Sequence, residues 1–125
     1  MNMDDDLIKL LAELGFIAGG YGLIAQTDAI VGALEALRPD SERPYLIQAL
    51  ARINFRDAAG AERILREQAL KLNPDSAMAK AYLGLALHVQ GRINERDRIL
   101  EEAIASGDEE AAALAQRLSE TPQLS

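Results

Sequence analysis

The chain is predicted to be all-α: three helical hairpins followed by a capping helix. Two observations lead there. Pro39-Asp40-Ser41 recurs as Pro74-Asp75-Ser76, 35 residues later. Each copy closes one apolar stretch of helical spacing and opens another. Proline removes a backbone donor and clashes with the preceding turn, so it stops a helix. The Asp and Ser that follow are good N-cap residues for the next one. Self-similarity at this period marks a helical repeat array. The second observation is that no β pattern competes. There is no sustained alternation, and Val occurs only at positions 31 and 89.

The elements follow in order. Leu7, Leu10, Leu11, Leu14, Ile17 and Ala18 form one apolar stripe on a first helix that ends near Gly19-Gly20, with Gly22 in the turn. Thr27 or Asp28 is expected to begin a second helix carrying Ile30, Val31, Leu34 and Leu37, stopped by Pro39. A third runs from about Arg43 to Phe55. Asp57 is expected to cap a fourth that carries Ala61, Ile64, Leu65, Ala69 and Leu72 and stops at Pro74. A fifth runs from Ser76 to Gln90, closed by Gly91 in the manner of a C-terminal glycine. A sixth holds Ile99, Leu100, Ala103 and Ile104, and Gly107 closes it. Asp108 caps a seventh with Ala111, Leu114, Ala115 and Leu118. Residues 1–120 are read as one domain, and 121–125 as a flexible tail that frays.

Composition narrows the function. A chain of 125 residues buries roughly two-thirds of its unfolded surface as a single domain. Aromatics are 4% and Trp is absent, which argues against stacking on bases or sugars. Without Cys there are no disulfides and no thiolate metal sites. That fits a reducing cytoplasm. The Asn, Met and three Asp after Met1 are the wrong charge for a signal peptide, and no apolar run approaches a membrane span of about 20 residues. The net charge of −7 repels nucleic acid. It is uneven: −5 over residues 1–41, +3 over 42–98 and −5 over 99–125. The basic middle either faces an acidic partner or is a solvated helix surface.

Aligned on the repeat, the hairpins start near Ile8, Glu42 and Ala77. Leu83-Gly84, Gly91 and Ala103 in the third unit resemble the tetratricopeptide pattern, as do Leu14-Gly15, Gly22 and Pro39 in the first. The second unit offers Gln48-Ala49 and Ala61 but needs one extra residue in its second helix to reach Pro74. Thr27 and Arg96 stand where the pattern wants Ala, Gln48 where it wants an apolar residue, and Asp108 where it wants Pro. A generic helix bundle is the alternative. The resemblance implies a right-handed superhelical array with a concave groove. Leu10-Leu11-Ala12-Glu13-Leu14 with Gly19-Gly20, the Arg56-Asp57-Ala58-Ala59 turn and Ala81-Tyr82-Leu83-Gly84-Leu85-Ala86-Leu87 further resemble the small tetratricopeptide chaperones of bacterial type III secretion. The similarity is greatest to the one that holds the needle subunit. It implies a groove that clasps the C-terminal helix of the needle protein, and a second, smaller helical chaperone nearby. Translocator and pilus-assembly chaperones of the same system share the repeat.

Mapped by that repeat, the groove wall takes Ala12, Phe16 and Gly19 from the first unit. It takes Leu46, Ile47, Leu50 and Ile53 from the second, and Met78, Ala81, Tyr82, Leu85, His88 and Val89 from the third. The third and fifth helices are apolar on more of their circumference than one packed face requires. Such a surplus is either central core or the seat of an amphipathic helix. His88, the one histidine, has no neighbouring ligand and reads as a wall or hydrogen-bonded residue rather than a metal site. Glu101-Glu102 and Glu109-Glu110 diverge on a helix, which argues against paired-carboxylate chemistry. Asp4-Asp5-Asp6 suits a helix N-terminus. Two function classes are left: a secretion chaperone that masks a self-associating helix, and a scaffold that assembles with itself or a larger machine. No cofactor or metal is expected, and an enzyme is a distant third. An unliganded groove would favour homo-oligomers.

Overall fold

The computed structural model describes residues 3–122 and contains seven helices and no strand among them. Helix α1 is Met3–Gly20, α2 Ile24–Leu37 and α3 Arg43–Asn54. Helix α4 covers 58–72: α-helical Ala58–Ile64, a π-helical turn Leu65–Ala69 and a last turn Leu70–Leu72. Helices α5 (Ala77–Val89), α6 (Ile93–Ile104) and α7 (Glu109–Ser119) follow.

The caps explain most boundaries. Asp57 Oδ1 accepts from the Gly60 amide at 2.9 Å, Ser76 Oγ from Ala79 at 3.1 Å and Asp108 Oδ1 from Ala111 at 3.1 Å. The two copies of the recurring tripeptide are not equivalent. Ser76 caps α5, whereas Ser41 accepts from Arg43 and Glu42 occupies the cap position of α3. Helix α2 begins at Ile24, earlier than the sequence suggested, with Thr27 inside it. The Thr27 hydroxyl donates back to the carbonyls of Leu23 (3.0 Å) and Ile24 (2.9 Å), so a fully buried polar residue is satisfied within its own helix. The extra residue expected in α4 is absorbed by the π turn, where the Leu70 amide donates to the Leu65 carbonyl five residues back.

Packing is between neighbours. Helix α1 lies on α2 and α3, α3 on α4 and α5, α5 on α6 and α7; α2 also meets α3, α4 meets α5, and α6 meets α7. The principal core joins Leu46, Ala49, Ala61, Leu65, Ala69, Ala79, Leu83, Ala86 and Leu87. A second cluster joins Val31, Leu34 and Ile47, and a third Ala81, Leu100, Ala103 and Ala115.

The single stripe expected on α1 divides in two. Ala12, Gly15, Ala18 and Gly19 are buried, and Ile8, Leu11 and Phe16 pack against the core. Leu7, Leu10, Leu14 and Ile17 face solvent, with Met3 before them and Tyr21 after. The small residues are on the inward side because α1 lies close to α3. A Cβ at Gly15 would stand 2.8 Å from Ile47 Cδ1, and one at Gly19 3.2 Å from the Ile47 carbonyl oxygen. The outward residues are spaced four, three, four, three and four apart from Met3 to Tyr21. That is the repeat of a helix–helix seam.

Two stability predictions follow from these contacts. A Cβ at Gly84 would overlap Leu100 Cδ2, and Leu100 is fully buried. Gly84→Leu should therefore cost about 1–3 kcal/mol by overpacking; an unchanged thermal melt would show that α5 and α6 do not approach there. Arg56 holds φ at 67° in the turn after α3, as Gly22, Gly91 and Gly107 do after α1, α5 and α6. Arg56→Gly should stabilise the protein by about 1 kcal/mol, read as a higher melting temperature.

Candidate partner-binding cavity

The starts of α3, α5 and α7 and the C-terminal part of α1 border an open cavity of about 500 Å³. Phe16, Leu46, Met78 and Tyr82 line it, together with Ser41, Glu42, Arg43, Asp108 and Glu110. Phe16, Met78 and Tyr82 are half-buried and rest on the principal core. They project from helices whose inward faces are largely alanine, so the large side chains lie at the edge. A hollow of similar size lies among Pro39, Tyr45, Glu67, Gln68, Lys71 and Leu72, with fewer apolar residues and none of the expected wall.

The cavity brings together four of the thirteen wall residues expected from the sequence, Phe16, Leu46, Met78 and Tyr82. Leu50, Ile53 and Leu85 are half-buried on α3 and α5 beyond it, and Val89 is 54% exposed. Met78, Tyr82, Leu85 and Val89 stand four, three and four apart, so they share one face of α5. Ile47 is a correction. It is fully buried among Val31 and Leu34, filling the space left by Gly15, and has no surface to offer a partner. Ala12, Gly19 and Ala81 are buried too. The sequence reading missed the polar rim. Glu42 and Arg43 follow the recurring tripeptide, while Asp108 caps α7 and Glu110 lies in its first turn.

The rim is mainly acidic. Glu42 Oε1 accepts from Asn73 Nδ2 at 3.2 Å, while Oε2 is buried without a hydrogen-bond donor. Burial pushes the Tyr82 hydroxyl pKa up, and the charge of Glu110 adds to the rise. His88 sits apart from this rim. Its Nδ1 is 2.8 Å from Nη1 of Arg96, so as the acceptor of that hydrogen bond it carries its proton elsewhere on the ring. Arg96 is buried at one of the positions where Ala was expected. It also donates to Asp97 Oδ1 (2.9 Å) and to the Thr121 carbonyl (2.9 Å). Thr121, expected to fray, is tied to α6 by this bond; residues 123–125 of the expected tail lie outside the described residues.

On another face, Glu62 links α4 to the start of α6. Its carboxylate accepts from Arg92 (2.6 Å), Arg66 (2.9 Å) and Gln90 (3.1 Å). Burial works to raise its pKa, but the donated hydrogen bonds outweigh it and hold the carboxyl below its ordinary 4.5. A depressed carboxyl stabilises the fold above its unfolded pKa, and the contribution is lost as the pH falls through the folded one. Glu62→Gln should therefore melt below the parent protein near neutral pH, and the gap should narrow as the pH falls below 4.5 and close below the folded pKa. A gap that stays constant between about pH 7 and pH 3 would show that the cluster contributes nothing through charge.

The molecule is thus an all-helical protein with a partly apolar, acid-rimmed cavity between four of its helices, and no described helix is long and apolar enough to cross a membrane. It belongs to the HrpB1_HrpK family of bacterial type III secretion proteins, whose family model matches residues 1–124. None of the curated proteins matches the chain.

Proposed function

We propose that the protein is a type III secretion chaperone that holds the amphipathic C-terminal helix of the needle subunit and so prevents premature polymerisation in the cytoplasm. Membership of a type III secretion family supports the setting. The observation that carries the binding reading is the set of incompletely buried apolar side chains on α1, α3 and α5: Phe16, Leu50, Ile53, Met78, Tyr82, Leu85 and Val89. A helix with apolar residues at i, i+3, i+4 and i+7 would cover them. The order of packing, with α1 beside α3 and α3 beside α5 while α2 and α4 each bridge to the following helix, supports a tetratricopeptide-like array with these residues on its concave side.

The exposed seam of α1 supports a second contact. Helix α7 packs on α5 and α6 at one end, whereas among the described residues Leu7, Leu10, Leu14 and Ile17 are left exposed at the other. The small helical co-chaperone would sit there. The same seam favours the alternative reading, a scaffold that assembles with itself. Against a second copy stands charge, since α1 carries four acids (Asp4, Asp5, Asp6, Glu13) and one base (Lys9). A translocator or pilus-assembly client would use the same wall.

The test is co-purification with the needle subunit of the same secretion system. Met78→Asp and Val89→Asp each remove an apolar anchor, the first half-buried at the edge of the core and the second exposed. Each should weaken binding about ten- to a hundred-fold, the equivalent of roughly 1.5–3 kcal/mol, with unchanged helical circular dichroism. Retained binding in both variants would overturn the wall. Loss of helicity in both would make these residues core.

A further inference from the structure

We infer that His88, Arg96 and the Thr121 carbonyl form a proton-sensitive latch on the end of α7, closed while His88 is neutral and opened when its ring takes up a proton.

The latch is built on one nitrogen. Nη1 of Arg96 carries two N–H groups; it lies 2.8 Å from His88 Nδ1 and donates to the Thr121 carbonyl at 2.9 Å. The rest of the guanidinium is fixed, since Nε and Nη2 both reach Asp97 Oδ1, at 2.9 and 2.8 Å. Arginine has donors only and keeps its charge, so the contact with His88 requires a lone pair on Nδ1 and hence a neutral ring. A proton there sets two donors and two positive charges against each other, beside an arginine that is only 4% exposed.

Nothing nearby compensates. Helix α6 offers Asp97, which already accepts from Arg96. The end of α7 carries Arg117 and, just beyond it, Glu120, both exposed. Glu62 with Arg66 and Arg92 meets α5 through Gln90, two residues on and so on another face. Arg52 near the end of α3 is paired with Asp57. Lys80 with Glu102, and Glu110 beside Tyr82, lie toward the other end of α5. No carboxylate among the described residues bonds to His88.

The three tied elements are not held equally. Helix α5 is anchored by buried Leu83, Ala86 and Leu87, and α6 by Leu100 and Ala103. At the end of α7, Gln116, Arg117 and Glu120 are in solvent and Leu118 is half-buried. That end is the part that moves when Nη1 and His88 separate. The stability contributed by the latch is present while His88 is neutral. It is lost as the pH falls through the imidazole range, about 6.5 for an ordinary ring.

The chain has no cysteine, so Glu120→Cys takes a single nitroxide label at an exposed position. In the otherwise unchanged full-length protein its electron paramagnetic resonance spectrum should be immobilised at about pH 7.5 and mostly mobile at about pH 5.5, a span in which ordinary carboxylates do not titrate. Helical circular dichroism should stay constant. His88→Asn places a carbonyl oxygen where Nδ1 stands and cannot titrate, so its label should be immobilised at both pH values. His88→Lys carries a permanent charge, and its label should be mobile at both. A parent spectrum that does not change would overturn the latch, as would a His88→Asn spectrum that changes with pH or is mobile throughout. Loss of helicity in the parent over the same span would also overturn it, because the opening would then be global. If His88→Lys does not fold, the parent and His88→Asn spectra decide alone.

Discussion

Close approach of helix backbones is the constraint on which the rest of the structure depends. Of the 22 buried apolar residues among those described, 14 are alanine. Alanine adds little bulk and loses no side-chain entropy on burial, so it allows neighbouring helices to lie near each other over their length. At the tightest points even alanine is too large: Gly84 meets Leu100, and Gly15 meets Ile47. The leucines of the core are few and fill the gaps, with Leu65, Leu83, Leu87 and Leu100 nearly or fully buried. The remaining large apolar side chains on the same helices have no room between backbones and lie at the edges. The half-buried Phe16, Met78 and Tyr82 are thus a consequence of how the core is built.

The same geometry explains why the two ends of the molecule differ. Helices that pack mainly on their chain neighbours leave the outer faces of the first and last ones to be covered separately. At the C-terminal end α7 supplies it, with Ala111 and Ala115 fully buried against its neighbours. The buried Arg96 strengthens that end by joining α6 to His88 on α5 and to the Thr121 carbonyl beyond α7. An arginine this deep remains compatible with folding because Asp97, His88 and Thr121 satisfy its N–H groups. At the N-terminal end the outward face of α1 remains apolar from Leu7 to Tyr21.

Much of this architecture is legible in the sequence, for identifiable reasons. Helix starts with a side-chain cap at Asp57, Ser76 and Asp108 are found because capping is local chemistry. The extra residue in the second unit is countable against Pro74, although only the structure shows that a π turn in α4 takes it up. The sequence misleads where two faces of one helix are both apolar. Leu7, Leu10, Leu14 and Ile17 share a stripe with Leu11 and Ala18 by spacing. Which side turns inward is decided by Gly15 and Gly19, whose missing side chains let α3 approach. Ile47 fails as a wall residue for the same reason, since it fills the space above Gly15. Phe16, Leu46, Met78 and Tyr82 were assigned to one surface by repeat position alone, and the fold brings them around one cavity. Its acidic rim is not legible, because Glu42 and Glu110 are distant in sequence and meet only through the packing of α7 on α5.

The middle of the sequence is basic, which leaves two readings open, an acidic partner or a solvated helix surface. In the folded protein much of that positive charge is paired: Arg52 with Asp57, Arg66 with Glu62 and Glu95, Lys80 with Glu102, Arg92 with Glu62 and Glu95, and Arg96 with Asp97. The exposed pairs among these add little stability, but all of them neutralise charge at short range. The potential at the cavity is then set by the groups nearest to it, and those are Glu42, Asp108 and Glu110 against Arg43. Segmental net charge averages over residues that the fold sends to different faces. The field felt by a partner comes from the few groups within a Debye length of the contact.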